Sequence, residues 1–193
     1  KTLLLALAAI MLAISVTAQS MPYEGVWVRV DTEASVTEVW HGNERKLVIE
    51  RVAFGRGGIS DLHLNGDNTT PRGEFRINRI NTESRFHIFF AIDYPTLSHL
   101  DHARRLGIMD NEEYRRSLDH ALEHGEFPQN GTLGGYIGFH GIGEGDPDIH
   151  DNFHWTQGCV AMTNEQVQEF YNYVDIGTRV LIDQFILGLK LTS

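Results

Sequence analysis

Two residue pairs in the C-terminal half of the chain, His140-Gly141 and Gly158-Cys159, have types suited to covalent catalysis. A thiol ionises at about pH 8.5 in water, so an imidazole that accepts its proton generates a nucleophile at neutral pH. A glycine before the nucleophile lets a substrate carbonyl approach the backbone N–H groups that stabilise an oxyanion. The pattern predicts acyl transfer, with Cys159 as nucleophile and His140 as general base.

A purely structural interpretation accounts for the same two side chains. Cys159 would then be a small buried hydrophobic residue and His140 a core histidine with satisfied hydrogen bonds. The spacing alone leaves both interpretations open. If the protein is exported, its single thiol beside a glycine favours the catalytic interpretation, because an unpaired cysteine is unusual in an oxidising compartment.

The segment between the two pairs offers metal binding as a second kind of chemistry. Its candidate ligands are His150, His154, Asp146, Asp148 and Asp151. Two histidines four residues apart share one face of a helix, but Gly143, Gly145 and Pro147 favour a loop here. The acids do not follow a calcium-loop pattern, and the glycines lack the residues of a nucleotide-binding loop. We therefore expect neither a metal nor a cofactor.

Length and composition limit the class of protein. The 193 residues, 41% of them hydrophobic, suit one compact domain with a single core. A formal net charge of −10 argues against binding nucleic acid through its phosphates. One cysteine excludes an internal disulfide framework and any zinc site that needs several thiolates.

Residues 1–18 have the layout of a secretory signal peptide: a positive charge, the apolar run 3–14, and small residues before a cleavage site after Ala18. A membrane span needs about 20 apolar residues, so an uncleaved anchor or a buried helix is the lesser interpretation. We expect a secreted protein, periplasmic or associated with the cell wall. Residues 25–183 would form its domain and residues 184–193 a tail.

Alternating apolar residues predict a β-rich domain. Val26, Val28 and Val30 begin the pattern, and residues 41–44 form a turn suited to a hairpin between the next two strands. The predicted strands after the first are residues 36–40, 46–53, 74–79, 86–91, 136–139 and 178–182.

Two predicted helices form a hairpin over residues 96–126. The first is capped by Ser98 and stops at Gly107, and the second is capped by Asp110 and ends at Gly125. The apolar face of the second helix is expected to consist of Tyr114, Leu118, Ala121 and Leu122.

A third helix begins at Thr163, with Gln166 completing a capping box. The predicted fold is therefore mainly β, with an inserted helical hairpin and one helix near the C-terminus. The hairpin is either a peripheral stabilising element or a lid over a substrate groove.

Three segments resemble the L,D-transpeptidase family, whose catalytic domain is called YkuD. His140-Gly141 followed by residues 156–160, Thr-Gln-Gly-Cys-Val, is similar to the family signature, in which Ser/Thr-His-Gly-Cys-aliphatic-Arg follows a His-Gly. Residues 66–77 resemble the Thr-Pro-x-Gly-x-Phe strand entry, and residues 26–31 resemble the opening strand.

The resemblance implies a β-sandwich-like fold and a cysteine acyl transferase that acts on peptidoglycan stem peptides. By position, Cys159 matches the nucleophile and His140 the residue that activates it. Gly158 and the Cys159 amide match the oxyanion site, and Gly141 the position whose carbonyl orients the imidazole. Substrate-binding candidates beside them are Thr156, Gln157 and Tyr136.

Two positions depart from the signature. Gln157 replaces the usual histidine, and Ala161 stands where the family usually has arginine or asparagine. An arginine grips a carboxylate through two hydrogen bonds and alanine does not. The substrate must therefore be held differently, which leaves the acceptor open.

Three functions remain to be distinguished. The first is a transpeptidase that passes the acyl group to an amine of another stem or of a wall-attached protein. The second is a hydrolase of the same fold, and the third is a non-catalytic wall-binding module, which leaves Cys159 and His140 without a role. Four acids between the catalytic candidates would concentrate a cationic amine, or form an ordinary solvated loop: Glu144, Asp146, Asp148 and Asp151.

Overall fold

The structure is a computed structural model that describes residues 23–183. The predicted signal peptide, residues 1–18, and the predicted tail, residues 184–193, lie outside the described residues. The described chain has these strands: β1 Val26–Asp31, β2 Val36–His41, β3 Glu44–Glu50, β4 Ile59–Ser60, β5 Thr70–Pro71, β6 Gly73–Ser84, β7 His87–Ile92, β8 Gly138–His140, β9 Val160–Ala161 and β10 Arg179–Asp183. Its helices are α1 Leu97–Arg105, α2 Asn111–His124, α3 Pro147–Asn152 and α4 Asn164–Tyr171. None of the described helices is long and apolar enough to cross a membrane.

Eight strands form one curled sheet in the order β3-β2-β1-β10-β6-β7-β8-β9, and β4 pairs with β5 separately. The 12-residue strand β6 joins the two halves, and its pairing with β7 shifts register twice. Such irregularities bend a strand and increase its twist. The predictions of a mainly β fold, an inserted helical hairpin between β7 and β8, and a helix near the C-terminus are confirmed.

The first and last strands meet at the centre of the sheet. β1 and β10 pair in parallel, with Val28 opposite Val180 and Val30 opposite Ile182. All four side chains are buried in the core, so burial of the alternating apolar face holds the two ends of the described chain together. The predicted hairpin between β2 and β3 forms around Gly42, whose φ of +56° suits glycine.

Helix capping follows the sequence with one exception. Asp110 accepts hydrogen bonds from the backbone N–H groups at the start of α2, and Gly125 ends that helix in the left-handed conformation, as predicted. Thr163 and Gln166 form the predicted capping box of α4. The predicted N-cap of α1, Ser98, is wrong, because Thr96 caps this helix and the ring of His99, rather than a glutamate or glutamine, completes its capping box.

The predicted apolar face of α2 is wrong at Leu122, which is 87% exposed, whereas Ser117 is buried. Leu122 therefore does not anchor the helix to the rest of the domain. Polar contacts attach it instead: the Glu113 carboxylate accepts hydrogen bonds from the backbone N–H of Thr132 at 3.0 Å and from its hydroxyl at 2.8 Å.

The loop predicted after Gly145 contains the short helix α3. Asp146 accepts the N–H of Asp148 as N-cap, and Pro147 occupies the first turn. Proline is well suited to that position, because its missing N–H is unpaired there anyway and its φ is already helical. Pro147 therefore starts a helix rather than preventing one, and the prediction of a loop over these residues is wrong.

Candidate active site

Two neighbouring strands bring the predicted nucleophile and base into the same part of the sheet. β8 and β9 pair in parallel, with His140 opposite Ala161. Cys159 immediately precedes β9, two residues before Ala161. Residues nineteen apart in the sequence thus lie on adjacent segments, because the chain leaves β8, forms α3 and returns beside the same strand.

The Cys159 thiol is half-buried. Its Sγ donates a hydrogen bond to the carbonyl of Tyr136 at 3.4 Å. Burial raises the pKa of Cys159 to about 12, and a backbone hydrogen bond from Gly138 offsets only part of this shift. The thiol is therefore neutral at physiological pH and needs a base at the moment of attack.

His140 is 3% exposed, and its tautomer is set by the next residue. Nδ1 lies 2.7 Å from the carbonyl oxygen of Gly141. A carbonyl only accepts, so Nδ1 carries the proton and Nε2 is free to accept another. Burial lowers the pKa of His140 to about 4 despite this hydrogen bond, and the nearby His150 and Arg85 lower it slightly further.

At rest, the Cys159 thiol and the His140 imidazole are thus both neutral. Among the described contacts, the hydrogen-bond acceptor of the thiol is the Tyr136 carbonyl rather than the imidazole. Opposite pKa shifts of this size disfavour a preformed thiolate–imidazolium pair, because each charged form would be poorly solvated.

Two aromatic rings that the sequence analysis did not single out enclose the imidazole. Phe86 stacks on His140 with centroids 4.4 Å apart, and Trp155 meets it edge-on at 5.7 Å. The Trp155 indole N–H donates to Nδ1 of His150 at 3.3 Å. Trp155 lies one residue before the cysteine motif, so its position in the sequence could have identified it. Phe86 lies 54 residues before His140, and no pattern in the sequence connects the two.

The two histidines considered as metal ligands point to different partners. His150 is buried on α3 and accepts from Trp155, whereas Nδ1 of His154 accepts the backbone N–H of Phe54 at 3.2 Å. Within residues 23–183, no group of three histidine, cysteine, aspartate or glutamate side chains could hold a metal ion.

A tight turn presents Cys159. Gly158 has φ of +130°, and the Thr156 hydroxyl accepts the Gly158 N–H at 3.1 Å while donating to the Cys159 carbonyl at 2.7 Å. Thr156, a substrate-binding candidate, is 3% exposed and holds this turn. The Gly158 N–H is likewise occupied, which leaves the Cys159 amide as the oxyanion donor that this turn could offer.

The other substrate-binding candidates differ in placement. Gln157 is exposed, and Tyr136 is 61% exposed with φ of +56°. A left-handed residue does not fit into a strand, so β8 begins at Gly138 rather than at Tyr136, where the predicted strand began. Ala161 is fully buried, and its N–H and C=O pair with the backbone of Ala53 at 2.8 Å each.

Gln129 holds Tyr136 in its unusual conformation. Its Oε1 accepts the Tyr136 N–H at 2.8 Å, and its Nε2 donates to the carbonyls of Tyr94 and Phe127. The Tyr136 carbonyl in turn faces the Cys159 thiol. The segment after the helical hairpin is thereby connected to the nucleophile, although a lone glutamine carries no recognisable sequence signal.

His63 supports the turn from below. Its Nδ1 lies 2.8 Å from the Thr69 carbonyl and 3.1 Å from Oδ1 of Asp67. A Cβ atom on Gly158 would come within 3.2 Å of the same nitrogen. Residues 66–77 resemble a family motif in sequence, and their position under the cysteine turn gives that motif a structural role.

Gly158→Ala is expected to lower the free energy of unfolding by about 2–4 kcal/mol, because φ of +130° strains an alanine and its methyl group would meet Thr69 O at 2.8 Å. Chemical denaturation measures the change. The matched control is Gly131→Ala, whose new methyl group meets only one carboxylate oxygen of Glu113, at an ordinary contact distance of 3.4 Å. Equal stability of the two variants would contradict a strained turn.

Comparisons with known proteins agree with this fold. The model of the L,D-transpeptidase catalytic domain, YkuD, matches residues 25–182. The fold is similar to that of the helical cell shape determining protein Pgp2 from Campylobacter jejuni, with 19% identity and a TM-score of 0.57 over 84% of this chain and 48% of that one. It is also similar to Bd1075 from Bdellovibrio bacteriovorus, with 19% identity and a TM-score of 0.52 over 83% and 48%.

These identities show likeness of fold, and this chain spans about half the length of the two solved structures. No curated protein sequence matches it significantly. The family model, in contrast, covers nearly all of the described residues, which confirms the resemblance predicted from the three segments of the sequence. The chain therefore belongs to the family of L,D-transpeptidase catalytic domains.

Proposed function

We propose that this protein is an exported cysteine acyl transferase that acts on peptidoglycan stem peptides through a thioester on Cys159. The observation that carries the proposal is the pairing of β8, which ends at His140, with β9, which Cys159 immediately precedes, together with the hydrogen bond from Nδ1 of the imidazole to the Gly141 carbonyl. Export rests on the signal-like residues 1–18 and would be seen as a mature protein that begins at Gln19.

In the first half-reaction, Nε2 of His140 takes the thiol proton as Sγ attacks the carbonyl at the L-centre of the diamino acid in the stem. The Cys159 amide N–H faces the developing oxyanion. The protonated imidazole then gives its proton to the departing amine. The bond between the diamino acid and the terminal D-alanine breaks, D-alanine leaves and the thioester remains.

In the second half-reaction, an amine of another stem or of a wall-attached protein attacks the thioester. His140 takes the proton of the amine and returns it to the sulfur as the C–S bond breaks. Thiol and imidazole are both neutral again. Water in place of the amine gives a hydrolysed stem by the same proton transfers.

Incubation of the protein with purified disaccharide tetrapeptide, followed by mass spectrometry, tests the proposal. We expect loss of D-alanine together with a cross-linked dimer. Loss of D-alanine without dimer would identify a hydrolase instead, and an unchanged tetrapeptide that still binds would identify a wall-binding module. An added amine distinguishes the first two products further, because only a transferase incorporates it.

The acidic limb of kcat/KM is expected near pH 4 rather than pH 6.5. The base must be neutral to accept a proton, and burial lowers its pKa to about 4, so protonation removes activity only below that value. The thiol, with a pKa of about 12, stays protonated up to alkaline pH. D-alanine release measured from pH 3.5 to 9 should be flat above about pH 5, whereas a limb at pH 6.5 would indicate a solvated imidazole.

A further inference from the structure

Two histidines lie one helical turn apart near the end of α2, the second helix of the hairpin. His120 and His124 are four residues apart, so their side chains share one face of the helix. Their imidazole rings stack, with centroids 4.2 Å apart and an angle of 19° between the ring planes. His120 is half-buried and His124 is exposed, so solvent reaches the pair. Neither half-reaction described above uses these rings.

Backbone carbonyl groups hold both rings in the same tautomer. Nδ1 of His120 lies 3.0 Å from the carbonyl oxygen of Glu126, and Nδ1 of His124 lies 3.1 Å from that of His120. A carbonyl oxygen only accepts, so each Nδ1 carries the proton and each Nε2 keeps a lone pair. Among the hydrogen bonds of residues 23–183, none occupies either Nε2. The pair therefore offers two unoccupied nitrogen acceptors on one helix face.

This arrangement is the one that histidines adopt as metal ligands. A ligating histidine almost always donates its other ring N–H to a carbonyl or carboxylate, which fixes the tautomer and makes the ligating nitrogen more basic. Two histidines at positions i and i+4 of a helix bind one metal ion from the same face. The stacked rings have to tilt towards each other to direct both lone pairs at one ion, and the exposure of His124 leaves room for that rotation.

The charges around the pair favour a cation. His124 lies in the last turn of α2, at the negative end of the helix dipole. The exposed carboxylate of Glu123 is three residues after His120 and so lies on the neighbouring surface of the helix. Arg116, one turn before His120, is paired with Glu112 at 2.6 Å, which offsets its positive charge. The surroundings of the pair thus attract a divalent ion.

We propose that His120 and His124 bind a divalent transition-metal ion through their Nε2 atoms, with water completing its coordination. Imidazole nitrogen suits Zn²⁺, Cu²⁺ and Ni²⁺, whereas Mg²⁺ and Ca²⁺ prefer oxygen ligands. Within residues 23–183, no group of three side chains could enclose an ion. A site with two protein ligands is open to solvent, so the ion exchanges with the medium. The site does not depend on the proposed function.

A bound ion would act on the base of the helical hairpin. His120 connects α2 to the carbonyl of Glu126, and Gln129, three residues further on, holds Tyr136 through its backbone N–H. A metal that binds only the folded helix stabilises that helix by mass action. We therefore expect the ion to slow local opening at the end of α2 and in the segment that follows it.

Calorimetric titration with Ni²⁺ tests the proposal. The protein carries no histidine tag and contains Cys159→Ala, which removes the competing thiol. We expect one ion per chain and no binding of Mg²⁺ at the same concentration. His120→Ala and His124→Ala should each weaken the affinity by about 10-fold or more, because loss of only the hydrogen-bond partner of a metal ligand costs about 10- to 100-fold. His41→Ala, which removes an exposed histidine at the end of β2, is the matched control and should leave Kd unchanged.

Amide hydrogen exchange locates the bound ion. Ni²⁺ should slow exchange in residues 118–127 of the protein that has both histidines, and His124→Ala should lose this effect. Alanine is the best helix former, so both variants should keep α2, which circular dichroism checks. An unchanged Kd in the double variant His120→Ala and His124→Ala, or slowed exchange only in other parts of the chain, would overturn the inference. Neither measurement involves D-alanine release, so the outcome is separate from that of the proposed function.

Discussion

Replacement of Cys159 by alanine is expected to abolish D-alanine release, with a loss of about 10⁴-fold or more in kcat. In the proposed reaction the acyl group is bound covalently to Sγ, and the sequence contains no other cysteine that could substitute for Cys159. The folded state should be unaffected, because the thiol is half-buried, forms no disulfide and donates only one long hydrogen bond.

Intact-protein mass spectrometry tests this prediction directly. A protein with one thiol shows one acyl adduct, and Cys159→Ala should show none. Cys159→Ser is the matched control, since it keeps the size and hydrogen bond of the side chain while replacing the nucleophile with a much weaker one. Adduct formation or D-alanine release that persists in Cys159→Ala would refute the nucleophile.

Replacement of His140 by glutamine is expected to lower the rate of thioester formation by about 10²–10⁴-fold. Glutamine fills much of the space beside Phe86 and can still donate to the Gly141 carbonyl, but it does not accept a proton at neutral pH. Because burial raises the pKa of Cys159 to about 12, almost no thiolate exists at pH 7 to replace the missing base.

The pH dependence distinguishes a missing base from a disturbed structure. In His140→Gln the rate should rise about tenfold per pH unit between pH 8 and 10, following the thiolate fraction, whereas the unmodified protein stays flat. Single-turnover kinetics with mass detection measures both. A pH-independent loss in His140→Gln would indicate that the residue only supports the fold.

Local features of the fold were predictable at positions where the residue type has a single physical explanation. Asp110, Gly125 and the Thr163–Gln166 box mark helix ends because they satisfy backbone groups that the helix itself leaves unpaired. Pro147 was misinterpreted because the same residue that breaks a helix interior also starts a helix well. Leu122 was misplaced because periodicity describes a face but not what covers it.

The residues of the candidate site likewise fall into those that the sequence identified and those that it did not. Cys159 and His140 stood out because thiol and imidazole chemistry depends on residue type and each is flanked by a glycine. Phe86, Gln129 and His63 act on them through packing and hydrogen bonds from distant parts of the chain. Such residues have ordinary types, so no local pattern distinguishes them.

By itself, the sequence determined the family and the mainly β fold class, and it identified the two residues proposed to carry the chemistry, because motifs and alternation are local properties. Only the tertiary structure decided the protonation states, since a pKa near 4 for His140 and about 12 for Cys159 comes from desolvation by surrounding elements. It alone also placed the Phe86 ring on the His140 imidazole, with centroids 4.4 Å apart. Burial and ring contacts arise when segments far apart in the chain pack together, and no spacing within one segment encodes them.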